Sequence, residues 1–220
     1  MVIDKKFKGL VKEDYRYVFN GNIETTESLE IDLDMGLFVT GYIKAGGSIK
    51  AGGSIEAGWS IKAGGSIKAG GSIEAGEFIE AGGSIKAGGF IKAGGFIKAG
   101  GSIEAGWHIE AGGFIKAGWS IKAGEFIEAG GFIKAGGYYG IVAGLSITCK
   151  DTLSFGLKVF AGICAWREVT NEEKTITCGK LEGGTVEYGI LRETGVEESD
   201  DKTQEAMRLL KEQGYKIIRQ

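Results

Sequence analysis

The chain has 220 residues, 26 basic against 29 acidic side chains, a formal net charge of -3, 41 glycines and no proline. That length supports one elongated domain with modest ends, and the near-balanced charge supplies no basic field, so no nucleic-acid partner is expected. Glycines in a six-residue period without proline exclude collagen, and an Ile in every period excludes a flexible linker.

In chain order, residues 1–14 read as an N-terminal cap. They hold no apolar stretch long enough for a signal peptide. No run in the chain reaches the roughly 18 apolar residues of a membrane span. A cytoplasmic protein without membrane partners is the expectation. Residues 15–198 read as one β-helix. Over 15–42, Ile23, Leu29, Ile31 and Leu37 keep hexad spacing with a two-residue slip between Leu29 and Ile31, which suggests irregular first coils.

From Ile43 to Gly136 one hexad, I-[K/E]-A-G-x-[S/F], repeats sixteen times without insertion, and its Ile, Ala and Gly never vary. Polar, apolar, polar, small apolar and a glycine pair predict a short strand of about four residues and then a bend. Glycine at the bend permits a positive φ or a close backbone approach. A helix does not fit, because a period of six carries the Ile stripe around a 3.6-residue turn. The fold class is therefore all-β: a single-stranded, three-sided β-helix whose coils hold three hexads. Its handedness is left open by the pattern. Ile should line the core, and Ala should keep it too narrow for larger side chains.

A coil of three hexads implies a second period of eighteen, and the variable positions have it. The residues at the position before Ile fall into three columns: Tyr42, Ser60, Phe78, Phe96, Phe114, Phe132; Ser48, Ser66, Ser84, Ser102, Ser120, Tyr138; and Ser54, Ser72, Phe90, His108, Phe126. The residues after Ile sort as well, two columns mainly Lys and the third mainly Glu. The position after the invariant Gly accepts Gly, Trp59, Glu77, Trp107, Trp119 and Glu125. A site taking both Trp and Glu faces solvent at a corner.

Downstream, Ile141 resumes the unit after a two-residue slip, and Ile147, Leu153 and Val159 follow at hexad spacing. The coil is expected to run to about 165, with a surface loop at 167–174 and further strands at Thr175 and Gly184. Cys149, Cys164 and Cys178 lack zinc spacing and read as three buried, reduced thiols. Residues 199–220 read as a short C-terminal α-helix and tail, capped by Ser199 or Asp200 and stopped at Gly214. That helix would cover either the open coil end or the phenylalanine face.

The aromatic columns are the candidate site, a protein-binding surface of Tyr42, Phe78, Phe96, Phe114, Phe132, Phe90, Phe126, Trp59, Trp107 and Trp119. A contiguous apolar stripe suits a partner, although rings on successive coils also stabilise each other without one. No catalytic, cofactor or metal residues are expected. His108, the lone histidine, cannot form a triad or metal cluster by itself.

The hexad with its triangular section resembles the hexapeptide-repeat β-helix proteins. That resemblance implies the coil and, in its acyltransferase members, a trimer with a histidine base. Here His108 sits inside the regular array without an extruded loop, and the small residue follows the Ile, as Ala51 does, rather than preceding it. The Gly21-Asn-Ile start and the glycine-rich coil over residues 21–165 are similar to bactofilins, which implies bacterial, self-assembling polymers joined through coil ends. The leading expectation is a non-enzymatic scaffold that binds protein and itself, a dimer above other assemblies. The alternative is a small bacterial or phage protein that blocks a nucleic-acid-processing or defence enzyme, and the last is an acyltransferase.

Overall fold

A computed structural model describes residues 1–195, and no helix occurs among them. The helix expected over 199–220 and the end of the expected coil region lie outside the described residues. Each hexad but the last forms a three-residue strand, as in Ile61–Ala63, then bends over three residues; the last strand is Ile133–Lys134. The strand is one residue shorter than the alternation suggests, because the Ser or Phe before each Ile still belongs to the bend.

Register makes the triangle. Ile61 pairs in parallel with Ile43 on one side and Ile79 on the other. Ile67 pairs with Ile49 and Ile85, and Ile73 with Ile55 and Ile91. Three ladders, here faces one, two and three, therefore advance together by eighteen residues per coil. Faces one and two merge into a 17-stranded sheet, because the long strands Thr152–Ala161 and Lys180–Tyr188 run around the corner between them. Face three is the separate 11-stranded sheet.

The core is a set of side-chain columns. Array Ile residues are 0–1% exposed and array Ala residues 1–6%. Each Ile lies on the Ile of the next coil, and burying it contributes about 1.5–3 kcal/mol at most.

The corners explain why one glycine is invariant and the next is not. No glycine of the array has a positive φ; those that do are Gly9, Gly21, Gly162, Gly183 and Gly189, outside it. The requirement is space. A Cβ on Gly64, Gly82, Gly100 or Gly118 would be driven into the carbonyl oxygen of Gly46, Gly64, Gly82 or Gly100 on the adjacent coil. This close approach accompanies an inter-coil hydrogen bond, such as Gly82 N–H to the Ala63 carbonyl at 3.0 Å. At a second glycine whose preceding coil carries a serine, a Cβ meets that side chain first: Gly65 faces Ser48 Oγ, Gly83 faces Ser66 Oγ, and Gly89 faces Ser72 Oγ.

That side chain has a task. The Ser48, Ser54, Ser66, Ser72 and Ser84 hydroxyls each accept the backbone N–H eighteen residues on, at 3.0–3.2 Å. Each such pair has glycine between the coils, at 65, 71, 83, 89 and 101. Where Trp119 replaces that glycine, Ser102 Oγ turns to Ser120 Oγ at 3.1 Å. The second corner position can thus vary, and where the preceding rung is a serine, as at Trp119, the change costs one serine-to-backbone bond.

The ends are less regular. Ile23 pairs with Ile43 twenty residues on, and Leu29 with Ile49. The additional two residues do not fall between Leu29 and Ile31, which share one strand; they lie beyond Ile31, where Asp32–Met35 round the corner. Within this larger coil Thr25, Ile31 and Val39 stand on the Ala columns. Large residues are therefore accepted there, against the expectation from Ala, because a longer perimeter encloses more space. Residues 1–14 contribute Val2–Ile3, which pairs in parallel with Leu29–Ile31, and Leu10–Lys12, which pairs antiparallel with Arg16–Phe19 at the edge of face three.

Downstream, Ile121 pairs with Ile141, so the coil again gains two residues, at the Gly136–Gly140 corner. Residues 162–174 form the surface loop, and pairing resumes at Thr175–Cys178. Arg167 grips Glu173 through both guanidinium amines, at 2.9 and 2.6 Å, and holds its carboxyl down at about 2. Cys149 and Cys178 are buried free thiols. Burial, followed by neighbouring Cys178, pushes Cys149 up to about 12, so it stays an inert thiol. Cys164 is only half-buried, unlike the expectation for all three, because it lies in the 162–174 loop.

The two glycines should respond differently to alanine. Gly82→Ala confronts a backbone oxygen that cannot rotate away and should cost roughly 3 kcal/mol. Gly83→Ala displaces the Ser66 hydroxyl and its bond to Ser84 N–H and should cost about 1 kcal/mol. Thermal unfolding followed by circular dichroism ranks them; equal losses would refute the distinction.

Candidate functional site

Parallel in-register coils rise by about 4.8 Å, the distance at which flat rings lie on each other. Phe78, Phe96, Phe114 and Phe132 do so, with centroids 4.9, 4.9 and 4.8 Å apart and planes within 4°. Phe90, His108 and Phe126 form a second stack, with centroids at 5.1 and 4.6 Å. All seven rings are half-buried. His108 is a rung of this stack, and its Nδ1 lies 3.7 Å from Glu125 Oε2.

Tyr42 belongs to the first column by register, yet it does not border the stack. Ser60 occupies the rung between Tyr42 and Phe78, and the Tyr42 hydroxyl donates to Glu24 at 3.0 Å.

The corner residues divide the ten candidates among three edges. Trp59 lies on the edge between faces three and one, in the column continued by Glu77, Gly95, Gly113 and Gly131, beside the four stacked Phe rings. Trp107 lies between faces two and three, beside Phe90, His108 and Phe126. Trp119 lies between faces one and two, beside the serines. The indoles are 55%, 56% and 52% exposed, respectively. A single flat surface cannot include all ten residues, because the columns run along different edges of a prism.

Two further aromatics, one of them ending the serine column, are absent from the ten candidates. Tyr138 and Tyr139 occupy the two-residue enlargement of the corner near Trp119, and Trp119 and Tyr139 lie with ring centroids 6.1 Å apart. The slip between Ile133 and Ile141 was their signal, since added residues must bulge outward from a packed coil. Arg16 was also missed. It crosses onto face three from the antiparallel N-terminal pair and meets Glu56 at 3.0 Å.

The charged columns contain their own counter-ions. In-register stacking places like charges on adjacent rungs, which is unfavourable. Glu80 interrupts the Lys column of face one and binds Lys62 and Lys98, each at 2.9 Å. Glu104 binds Lys86 at 2.7 Å on face two, and Lys92 binds Glu110 at 3.0 Å within the Glu column of face three. The apparent exceptions in each column are thus the residues that relieve its repulsion.

Among the described residues no group of three or more His, Cys, Asp or Glu could hold a metal ion, and no helix is long and apolar enough to cross a membrane. Comparison with protein-family models, curated proteins and solved structures gives no match. The architecture itself is an all-β parallel β-solenoid with coils of about eighteen residues, consistent with the general hexapeptide-repeat β-helix proteins.

The lysine clamp makes Glu80 pH-sensitive. Hydrogen bonds from Lys62 and then Lys98 hold its carboxyl below the usual range. Its stabilisation is complete above the unfolded value near about 4.3 and is lost as pH falls through the lower folded value. Glu80→Gln should lower the melting midpoint at about pH 6, by no more than about 1 kcal/mol for this accessible cluster, and the gap should close towards about pH 3. A gap unchanged between those values would refute the clamp.

Proposed function

We propose that this chain is a non-enzymatic scaffold that binds protein through its aromatic edges and pairs with a second copy of itself along the Phe78–Phe132 edge. The observation carrying this reading is the ring ladder and its surroundings. Four parallel, stacked rings stand on a rigid backbone, and Phe96, Phe114 and Phe132 are each preceded by a glycine, Gly95, Gly113 and Gly131. With no side chain at the corner before Phe96, Phe114 and Phe132, the stack forms a ledge open on that side, and it ends near exposed Trp59. A straight ledge suits an isologous contact in which one copy lies against another about a two-fold axis. Ordered rings have little side-chain freedom left to lose on association. End-to-end growth, as a bactofilin-like coil would imply, is the competing mode of assembly.

The test uses substitutions that the coil already tolerates. Serine occupies the same rung position on face two, and Gly113 and Gly131 leave room for serine hydroxyls at 96 and 114 to accept the next backbone N–H. The double variant Phe96→Ser/Phe114→Ser should keep the β circular dichroism of the parent. Light scattering should give a dimer mass for the parent and a monomer mass for the variant. A parent that is monomeric, or a variant with unchanged mass, would overturn pairing through this edge.

A further inference from the structure

The Phe90–His108–Phe126 stack stops abruptly at Phe90. By register its column continues towards the N-terminus as Ser72, Ser54, Gly36 and Arg16. Three small residues thus separate the Phe90 ring from Arg16, and the missing side chains leave a notch of about 250 Å³. Its floor is Gly36, Ser54 and Ser72. Phe90 closes one end, Tyr15 and Arg16 the other, and Glu56 and Glu74 line the flank.

The same face shows how a guanidinium is held there. Arg16 lies over the Phe38 ring, with Cζ 4.5 Å from the centroid, and its Nη1 donates to Glu56 Oε2 at 3.0 Å. Phe38 and Glu56 are successive rungs of one column. One coil further on, Glu74 and the open side of Phe90 offer the same two elements, a carboxylate and a ring face. Among the described residues Glu74 makes no ion pair: Arg16 engages Glu13 and Glu56, and Lys92 turns to Glu110. The serine hydroxyls of the floor already accept backbone N–H groups, Ser54 from Ser72 and Ser72 from Phe90. Recognition therefore falls to the acid and the ring.

We propose that this notch receives an arginine side chain of a partner polypeptide, its guanidinium lying on Phe90 and paired with Glu74. Charge complementarity favours a cation, since Arg16 and Lys92 are engaged by Glu56 and Glu110 while Glu74 makes no ion pair among the described residues. The ring favours a planar, weakly hydrated guanidinium over the compact lysine ammonium. This notch lies on a different edge from the proposed pairing ledge and does not depend on it.

The full chain is titrated with N-acetyl-arginine methylamide, and separately with the lysine analogue, while backbone amide NMR shifts are followed. The arginine probe should give saturable shifts centred on Ser72 and Phe90, with a dissociation constant of about 1–10 mM, and the lysine probe should bind at least about fivefold more weakly. Glu74→Gln and Phe90→Ser should each weaken the arginine probe by at least about fivefold. Serine already stands at 54 and 72 in that column, and circular dichroism reports whether each variant folds; either folded variant suffices. Absence of saturable shifts, equal binding of the two probes, or a folded variant that binds as the parent would overturn the proposal. Phe96 and Phe114 are untouched, so failure here leaves the pairing reading standing, and the reverse.

Discussion

The backbone approach at the first corner glycine is the constraint on which the structure depends. There, at every array position except Gly52 beside the enlarged first coil, the chain of one coil passes so close to a carbonyl of its neighbour that no Cβ fits. This contact holds the coils at hydrogen-bonding distance around each corner, so the parallel pairing of the strands continues through the bends. Once that spacing is held, every side chain meets its equivalent eighteen residues away. Ile on Ile, ring on ring, serine hydroxyl on backbone amide and charge on charge all follow from it.

Such regularity has costs as well as gains. Apolar columns gain burial and flat rings gain stacking, but charged columns suffer repulsion between adjacent rungs. Glu80, Glu104 and Lys92 relieve it from within their own columns. Serine columns solve a different problem, supplying an acceptor for a backbone N–H, provided the intervening corner residue is glycine. Trp119 and Glu77, which follow the serine rungs Ser102 and Ser60, do without this bond, and every Trp or Glu at a corner places a large side chain towards solvent. The bulky corner residues put large side chains at defined edges of the coil, which is why they attract a functional reading.

The departures from the repeat give the molecule its individuality. Two-residue enlargements widen the first coil and push Tyr138 and Tyr139 outward near Trp119. The antiparallel N-terminal pair brings Arg16 over face three. The aromatic column broken at Ser72 leaves the notch beside Phe90. In a solenoid of near-identical coils, partner recognition must come from such breaks, since a perfect repeat presents the same surface at every height.

The hexad by itself determined the three-sided coil, the Ile core and the membership of each column, because a period of six with an internal period of eighteen has one economical closure. It also marked the invariant glycine, but not the reason for it; a positive φ and a close approach are indistinguishable until the neighbouring coil is in place. Only the tertiary structure decided that ten aromatic candidates lie on three separate edges, that Ser60 isolates Tyr42, and that larger residues fit the Ala columns in an enlarged coil. It alone brought Arg16 to Glu56, because that contact joins an irregular antiparallel segment to a residue forty positions away. Periodicity encodes what each coil does to the next; it carries no information about segments that obey no period.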